Sequence, residues 1–324
     1  MTMIAVVTDR YGSPEVVGLE EVTRPTPKAN EVLVRVRASS INTADIDNLR
    51  GRPWIARLGT GLRRPRAKTP GLDIAGVVED LGPEATRFEV GDAVWADLFS
   101  SGSGAFAEYV CVPESALAPI PEGVDFEQAA TVPHSAVLAL QAIESRGITP
   151  GDRVLVNGGG GCVGPFAIQI ARSHGAEVTG VDHQGKHQLM RAAGADHLID
   201  FTLEDVTRNG LRYDLIVDIA ANRSVLSFKR SLTERGAYVQ IANSLGGFFS
   251  AAVLGALLGG KRRMGVFMWV PNDSEALARI GRLLRSGSLT PLIDRSFPLA
   301  EAREAIQRQA SGEARGKIVI TVGA

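Results

Sequence analysis

Val154-Leu-Val-Asn-Gly-Gly-Gly-Gly-Cys-Val-Gly164 decides the reading of this chain. The apolar strand Arg153–Asn157 runs into Gly159-x-Gly161-x-x-Gly164, and a helix is predicted at once over Val163–Arg172. A second apolar strand, Glu177–Val181, ends on Asp182. Small residues let the backbone turn tightly and approach a pyrophosphate, and the helix N-terminus offers N–H groups and a positive dipole end to that anion. A bare Gly-x-Gly-x-x-Gly is a weak signal; the strand before it, the helix after it and the acid at the next strand end make it a dinucleotide fingerprint. The residues assigned to the cofactor are Gly159, Gly160, Gly161, Cys162, Val163, Gly164, Asp182 and Lys186, with Asn243 beyond the strand Ala237–Ile241.

Outward from this stretch the pattern changes character. The first 120 residues read as β-rich, with strand-like runs at Met3–Val7, Glu31–Ser39, Ile74–Leu81, Asp92–Ala96 and Phe106–Val112 between Gly/Pro punctuation. Phe126–Ile143 is predicted as one long helical segment, kinked or restarted at Pro133. Strands at 153–157, 177–181, 197–199, 214–217, 237–241 and 264–268 then alternate with helices, which predicts a doubly wound parallel sheet. After Val270 come a helix (Ser274–Leu284), a strand (Leu292–Phe297), a helix (Ala300–Gln309) and a last strand (Gly316–Val322). This return most easily completes the first domain. The expected division is 1–122, a dinucleotide-binding domain over 123–269, and the return over 270–324.

Bulk properties exclude several classes. A net charge of −1 gives no global reason to expect a nucleic-acid partner. Cys111 and Cys162 form no CxxC pattern, which fits a reducing cytoplasm and no cysteine-based zinc site. The start, Met1-Thr-Met-Ile-Ala-Val6, lacks the charged region and cleavage site of a signal peptide, so a cytoplasmic location is expected. No apolar run reaches the ~18 residues that a membrane-spanning helix needs.

The order of domains resembles the medium-chain dehydrogenase/reductase superfamily over essentially the whole chain. Tyr11-Gly-x-Pro-Glu15, Ser40-Ile-Asn-Thr-Ala-Asp45, Gly71-Leu-Asp-Ile-Ala-Gly76, Gly91-Asp-Ala-Val94, Gly104-Ala-Phe-Ala-Glu-Tyr109, Gly194-Ala-Asp-His-Leu-Ile-Asp200 and Gly316-Lys-Ile-Val319 look like its zinc-independent, quinone-oxidoreductase-like branch, alkenal and enone reductases included. The resemblance implies a GroES-like β-rich catalytic domain plus a Rossmann domain, NAD(P)H bound in a cleft between them, and a homodimer. Zinc alcohol dehydrogenases of the superfamily bind their catalytic metal through Cys, His and Cys. Those positions are Asn42, Leu72 and His134 here, and an amide and a leucine do not serve as zinc ligands. No metal is expected.

Without a Lewis acid, oxidation of a simple alcohol is disfavoured, and reduction of a quinone or of the activated C=C of an α,β-unsaturated carbonyl is expected. The substrate is then a small lipophilic carbonyl compound or quinone. Asn42 is the first candidate to donate a hydrogen bond to the developing enolate oxygen; as a good N-cap it equally suits the start of a turn at Ala44-Asp45-Ile46. His134, which the resemblance puts beside the nicotinamide, suits proton delivery or substrate orientation, or a core histidine bonded to backbone. Asp45 is expected to orient Asn42, to bind the nicotinamide ribose, or to sit as a helix-start carboxylate.

Asp182 bears on which nicotinamide is used. A carboxylate there accepts the adenosine ribose hydroxyls and opposes a 2′-phosphate, by roughly 4 kcal/mol at ~4 Å and an effective dielectric of ~20. Lys186 or His183 reduces that. Phe201 stands where NADPH-preferring relatives carry a tyrosine. NAD(P)H is the expected cofactor, with NADH favoured by Asp182 and Phe201, although the resemblance to a branch that largely uses NADPH points the other way. His183 and His187, four apart, have a metal-compatible spacing but no third ligand, and read as a solvated face.

Two segments keep alternatives. Ser244–Gly260 is very apolar and leads into Lys261-Arg-Arg263; a pocket lid and subunit interface is preferred to a membrane-surface contact. The basic loop Gly61–Lys68 suits attraction of an anionic cofactor or substrate, or plain solvation. Two rival functions stand beside the reductase. They are a catalytically silent nucleotide sensor or scaffold, and a membrane-surface protein acting through 244–263.

Overall fold

Alternation of Val, Leu and small residues along Glu31–Ile41 (β3) makes a long strand buried along most of its length. It is the spine of a seven-stranded sheet. In this computed structural model, which describes residues 1–241, 263–267, 269–271 and 273–323, the chain divides into two compact units. The first comprises Met1–Val137, Val270–Gly287 and Ile293–Ala324; the second comprises Leu138–Trp269 and Ser288–Leu292.

In the first unit β3 pairs antiparallel with β4 (Asp73–Leu81), which pairs with β5 (Ala93–Asp97), and β5 with β7 (Ala118–Pro119); β6 (Tyr109–Pro113) also lies on β3. On its other side β3 takes β15 (Lys317–Thr321), and β15 takes β14 (Ile293–Pro298). Strands from the far end of the sequence therefore complete the sheet that residues 31–119 begin. A small antiparallel pair, β1 (Thr2–Val7) with β2 (Gly18–Thr23), lies apart from it. Val32, Val34, Val36, Ile41, Ile74, Leu98, Phe106, Ile318 and Ile320 are among the residues of the unit's main core. Full burial of such a side chain stabilises by about 1.5–3 kcal/mol. Gly76 marks the tightest approach in the sheet: a Cβ there would lie 2.3 Å from the Arg35 carbonyl oxygen.

The second unit is a parallel six-stranded sheet. Its strands are β8 (Arg153–Asn157), β9 (Glu177–Asp182), β10 (His197–Asp200), β11 (Tyr213–Asp218), β12 (Leu232–Gln240) and β13 (Arg263–Val266), in the order β10-β9-β8-β11-β12-β13. The strand order reverses between β8 and β11, and in open α/β sheets that reversal is where ligands bind. The helix Gly164–Ser173 follows β8 and buries Phe166, Ala167, Ile170 and Ala171.

The helical segment expected over 126–143 restarts at Pro133 and does not merely kink there. Phe126–Ala130 and Ser135–Glu144 are separated at Thr131–His134, because Pro133 lacks an N–H and clashes with the preceding turn. A histidine pair expected on one helix is also separated: His183 caps the short turn Gln184–Lys186, and His187 opens the next helix, His187–Ala192. The stretch 244–260, with Lys261 and Arg262, lies outside the described residues; Arg263 donates from Nη2 to the Arg146 carbonyl at 2.8 Å.

Candidate active site

Gly159–Gly164 forms the turn between β8 and the helix that follows. Gly158 and Gly159 donate to the Val181 carbonyl, at 2.9 and 3.0 Å, which ties the turn to β9. Gly160 donates to Asp182 Oδ2 at 2.9 Å, while Asp182 Oδ1 accepts from His183 N–H at 2.8 Å. The acid is thus fixed at the mouth of the loop with acceptor capacity to spare. Side chains are excluded from the turn: a Cβ on Gly160 would lie 2.5 Å from Lys186 Cβ, and one on Gly164 2.4 Å from the Gly159 carbonyl oxygen. Val163 stands at the N-cap, Gly164 and Pro165 open the helix, and Cys162 is buried. Lys186 Nζ donates to the Gly160 carbonyl at 3.3 Å. This bare backbone cradle, a helix N-terminus and a fixed carboxylate fit a dinucleotide. Asn243 lies outside the described residues.

At the reversal point the last residues of β8 and β11 form a buried polar pair. Asn157 Nδ2 donates to Asp218 Oδ1 at 2.7 Å, Tyr238 OH to Asp218 Oδ2 at 2.7 Å, and Ala221 N–H to Asp218 Oδ1 at 2.9 Å. Burial raises the Asp218 pKa against these bonds.

The first unit holds a second polar cluster, buried in its interior. Asn42 is the N-cap of the helix Thr43–Arg50 and is 1% exposed. Its backbone N–H donates to Asp45 Oδ2 at 2.7 Å, so Asp45 reaches back to cap the helix start. The Asn42 side chain is turned to other partners. Its Oδ1 accepts from Lys317 Nζ at 2.6 Å and from Ser135 Oγ at 2.8 Å, and its Nδ2 donates to Asp73 Oδ2 at 2.9 Å. One amide hydrogen is left to it for any substrate oxygen. Lys317 also stands 3.6 Å from Asp73 Oδ2, both fully buried.

His134 joins the same cluster through the helix break. Because Pro133 interrupts the helix, the His134 N–H donates sideways to Asp73 Oδ1 at 2.9 Å. Its Nδ1 lies 2.9 Å from Asp97 Oδ2, and its ring lies 5.9 Å from that of Phe99. Burial would lower the imidazole pKa, but the Asp97 hydrogen bond and the charges of Asp97, Asp73 and Asp45 outweigh it and hold His134 above its ordinary value. Burial raises Asp73 despite Lys317 beside it. Asp45 is pushed up to about 7, chiefly by burial, and its Oδ1 is buried without a hydrogen-bond partner. Asp45, Asp73 and His134 are thus each shifted toward their protonated forms, as a group that must give up a proton requires.

The positions that hold zinc in the alcohol dehydrogenases do not form a ligand set. Leu72 is packed at 1% exposure, Asn42 is bound to Lys317, and His134 is bound to Asp97. Among the described residues, no group of three or more His, Cys, Asp or Glu side chains is arranged to hold a metal ion.

Residues 28–122 match the family described as an alcohol dehydrogenase GroES-like domain, and residues 193–320 that described as a zinc-binding dehydrogenase. The chain is 30% identical, over 99% of its length and 91% of the relative's, to the mitochondrial NAD(P)H oxidoreductase RTN4IP1 of Danio rerio. It belongs to the medium-chain dehydrogenase/reductase superfamily. Within this superfamily it is quinone-oxidoreductase-like. It is 28% identical to the chloroplast envelope quinone oxidoreductase homolog of Arabidopsis thaliana, covering 94% of each chain. It superposes on the quinone oxidoreductase of Coxiella burnetii with a TM-score of 0.88 at 28% identity, over 100% of each chain. The first unit carries the GroES-like domain of this medium-chain dehydrogenase/reductase, and the second its Rossmann sheet. The protein is an oxidoreductase that uses a nicotinamide cofactor.

Sequence reading brought Asn42, Asp45 and His134 forward, and the structure gathers all three into one cluster. It missed Asp73, Asp97, Ser135, Lys317 and Asp218. A signal was present for the acids and the lysine: each is a charged residue at the end of an apolar strand, where a plain core would have none.

Proposed function

We propose that this oxidoreductase reduces a quinone, or the activated C=C of an α,β-unsaturated carbonyl, with NADH preferred and without zinc. The observation that carries the reading is the His134–Asp97 pair, at a position where zinc-dependent relatives place a metal-binding cysteine. The nicotinamide would supply the hydride. The protein supplies the proton that must follow: Asp97 holds Nδ1–H of His134 and favours the imidazolium, which then gives up a proton to the reduced substrate and recovers one from solvent. Asn42, gripped by Lys317, Ser135 and Asp73, is pre-oriented to stabilise negative charge on the substrate oxygen. The preference for NADH rests on Asp182, whose carboxylate opposes a 2′-phosphate and is only partly offset by Lys186. Relatives named as a trans-enoyl reductase of Aspergillus terreus and as a 2-methylene-furan-3-one reductase of tomato support the enone side, and the named quinone oxidoreductases the other. The reading takes with it a cytoplasmic location, expected from the cysteine usage, and a homodimer, as the resemblance implies.

The test is consumption of NADH and of NADPH, followed by nicotinamide absorbance, against 1,4-benzoquinone, 9,10-phenanthrenequinone and an alkyl enone. Turnover with at least one acceptor, faster with NADH, is expected from metal-free protein. Binding of both nucleotides with no consumption would refute the reading, as would one tightly bound zinc per chain on which activity depends.

A further inference from the structure

The redox reading leaves one surface of the first unit unused. From Asn48 to Leu72 the chain carries Arg50, Arg52, Arg57, Arg63, Arg64, Arg66 and Lys68 and no acidic residue, although the whole protein has a net charge of −1. Three large apolar side chains stand among these cations: Trp54 is 71% exposed, Leu62 67% and Leu58 59%. Apolar side chains scattered singly over a surface need no explanation, but three within nine residues of a cationic stretch are not scattered.

The stretch is held in shape by its neighbours. The turn Trp54–Ala56 runs directly into the helix Arg57–Thr60. The Arg57 guanidinium lies over the Tyr11 ring at 4.4 Å and donates from Nε to the Gly51 carbonyl at 3.0 Å. Tyr11 OH donates to the Gly61 carbonyl at 2.6 Å, Arg66 N–H to Thr60 O at 2.8 Å, and Thr8 N–H to Lys68 O at 2.8 Å. Arg57 is thus committed as a clamp. Asp47 lies near Arg50 and Arg52, and no ion pair is formed by Arg63, Arg64, Arg66 or Lys68 among the described residues.

We infer that this face docks the protein on the surface of an anionic lipid bilayer. Trp and Leu side chains bury favourably at the boundary of headgroups and acyl chains, while Arg and Lys reach the phosphates and carboxylates of the headgroup layer. A nucleic acid would match the cations but not the leucines, since single strands are held by stacking on aromatic rings. Among the described residues no helix is long and apolar enough to cross a membrane. Its use rests on the proposed function: a lipophilic quinone or enone partitions into the bilayer, and docking brings the reductase to it.

The experiment is co-sedimentation of the full-length protein with vesicles of phosphatidylcholine containing phosphatidylserine, and with phosphatidylcholine alone, at low and high salt. Tryptophan emission is read in parallel. Binding to the anionic vesicles only, weakened by salt and accompanied by a blue shift from Trp54, is expected. The triple variant R63Q/R64Q/R66Q should lower the partition coefficient on the order of 100-fold, at roughly fivefold per cation. The variant L58S/L62S, which keeps Trp54 as reporter, should show a smaller blue shift and weaker sedimentation with anionic vesicles while keeping its circular dichroism spectrum. No sedimentation with anionic vesicles would overturn the proposal, as would equal binding to neutral vesicles, equally tight binding to single-stranded RNA, or full competition by soluble glycerophosphoserine. Turnover with a water-soluble quinone separates the two readings. A protein that turns over without sedimenting refutes docking alone, and one that sediments without turning over refutes the proposed reaction alone.

Discussion

Asp45→Asn should make the protein more stable, and increasingly so as the pH rises. The ordinary pKa of this carboxyl is 3.8, and burial pushes it up to about 7 in the folded protein. As pH rises, the unfolded chain loses the proton first, so between those two values the folded state binds more protons than the unfolded one. Stability contributed by this group therefore falls with rising pH across the window from about 4 to about 7 and is level outside it. At about 1.4 kcal/mol per unit, the penalty is roughly 1.7 kcal/mol at pH 5 and roughly 4.3 kcal/mol at pH 8. Asparagine keeps the shape and can still accept from the Asn42 N–H, but it cannot ionise. Its amide nitrogen falls where Oδ1 now has no partner, which adds an offset independent of pH. The stability difference between variant and parent should then grow by roughly 2.6 kcal/mol from pH 5 to pH 8. Urea unfolding followed through Trp95, buried in the same unit, reads it directly. If the two stability curves run parallel over that range, Asp45 is ionised in the native protein and the electrostatic account of the cluster fails.

Three further outcomes are expected. Asp97→Asn removes the partner that holds the His134 pKa up, so the alkaline limb of the kcat profile should move to lower pH; a loss on the order of 10-fold at pH 8, smaller at pH 6, is expected, and an unmoved limb would take His134 out of proton delivery. Lys317→Met removes the ammonium beside Asp73, leaving His134 as its remaining cationic neighbour, and should destabilise by about 3–5 kcal/mol at neutral pH, less where Asp73 is protonated; denaturant midpoints at two pH values check it. Asp182→Ser removes the charge that opposes a 2′-phosphate, and the ratio of Kd values should shift toward NADPH; an unchanged ratio would remove Asp182 from the specificity argument.

How far the sequence could be read depends on how local each signal is. The Rossmann half was legible because strand, glycine turn, helix and acid follow one another within thirty or so residues. Its sheet order follows from the same repeated crossover. The restart at Pro133, one of the two outcomes expected there, separates Phe126–Ala130 from Ser135–Glu144 and frees His134 to bond Asp73. The polar cluster was only half legible. Asn42 and Asp45 are neighbours in sequence, but Asp97 lies 37 residues from His134 and Lys317 lies 275 from Asn42. Pairings that distant leave no periodicity to find. Lys317, inside the apolar run Lys317–Thr321, was the clue that could have been followed: an ammonium in a buried strand requires a partner.

The place of β15 sets an order of events during synthesis. Its residues 317–321 fill an interior place in the first unit's sheet, between β14 and β3. They leave the ribosome after every strand of the second unit. That unit draws its strands from residues 153–266 and can assemble while translation continues. Until β15 arrives, Ala38–Ile41 of β3 is an open strand edge on the nascent chain, and an unpaired edge of that kind invites wrong partners. Loss of residues 317–321 would leave that edge uncovered permanently and remove Lys317 from Asn42. A frameshift at or just before the Lys317 codon should therefore yield aggregation, not a merely shortened enzyme.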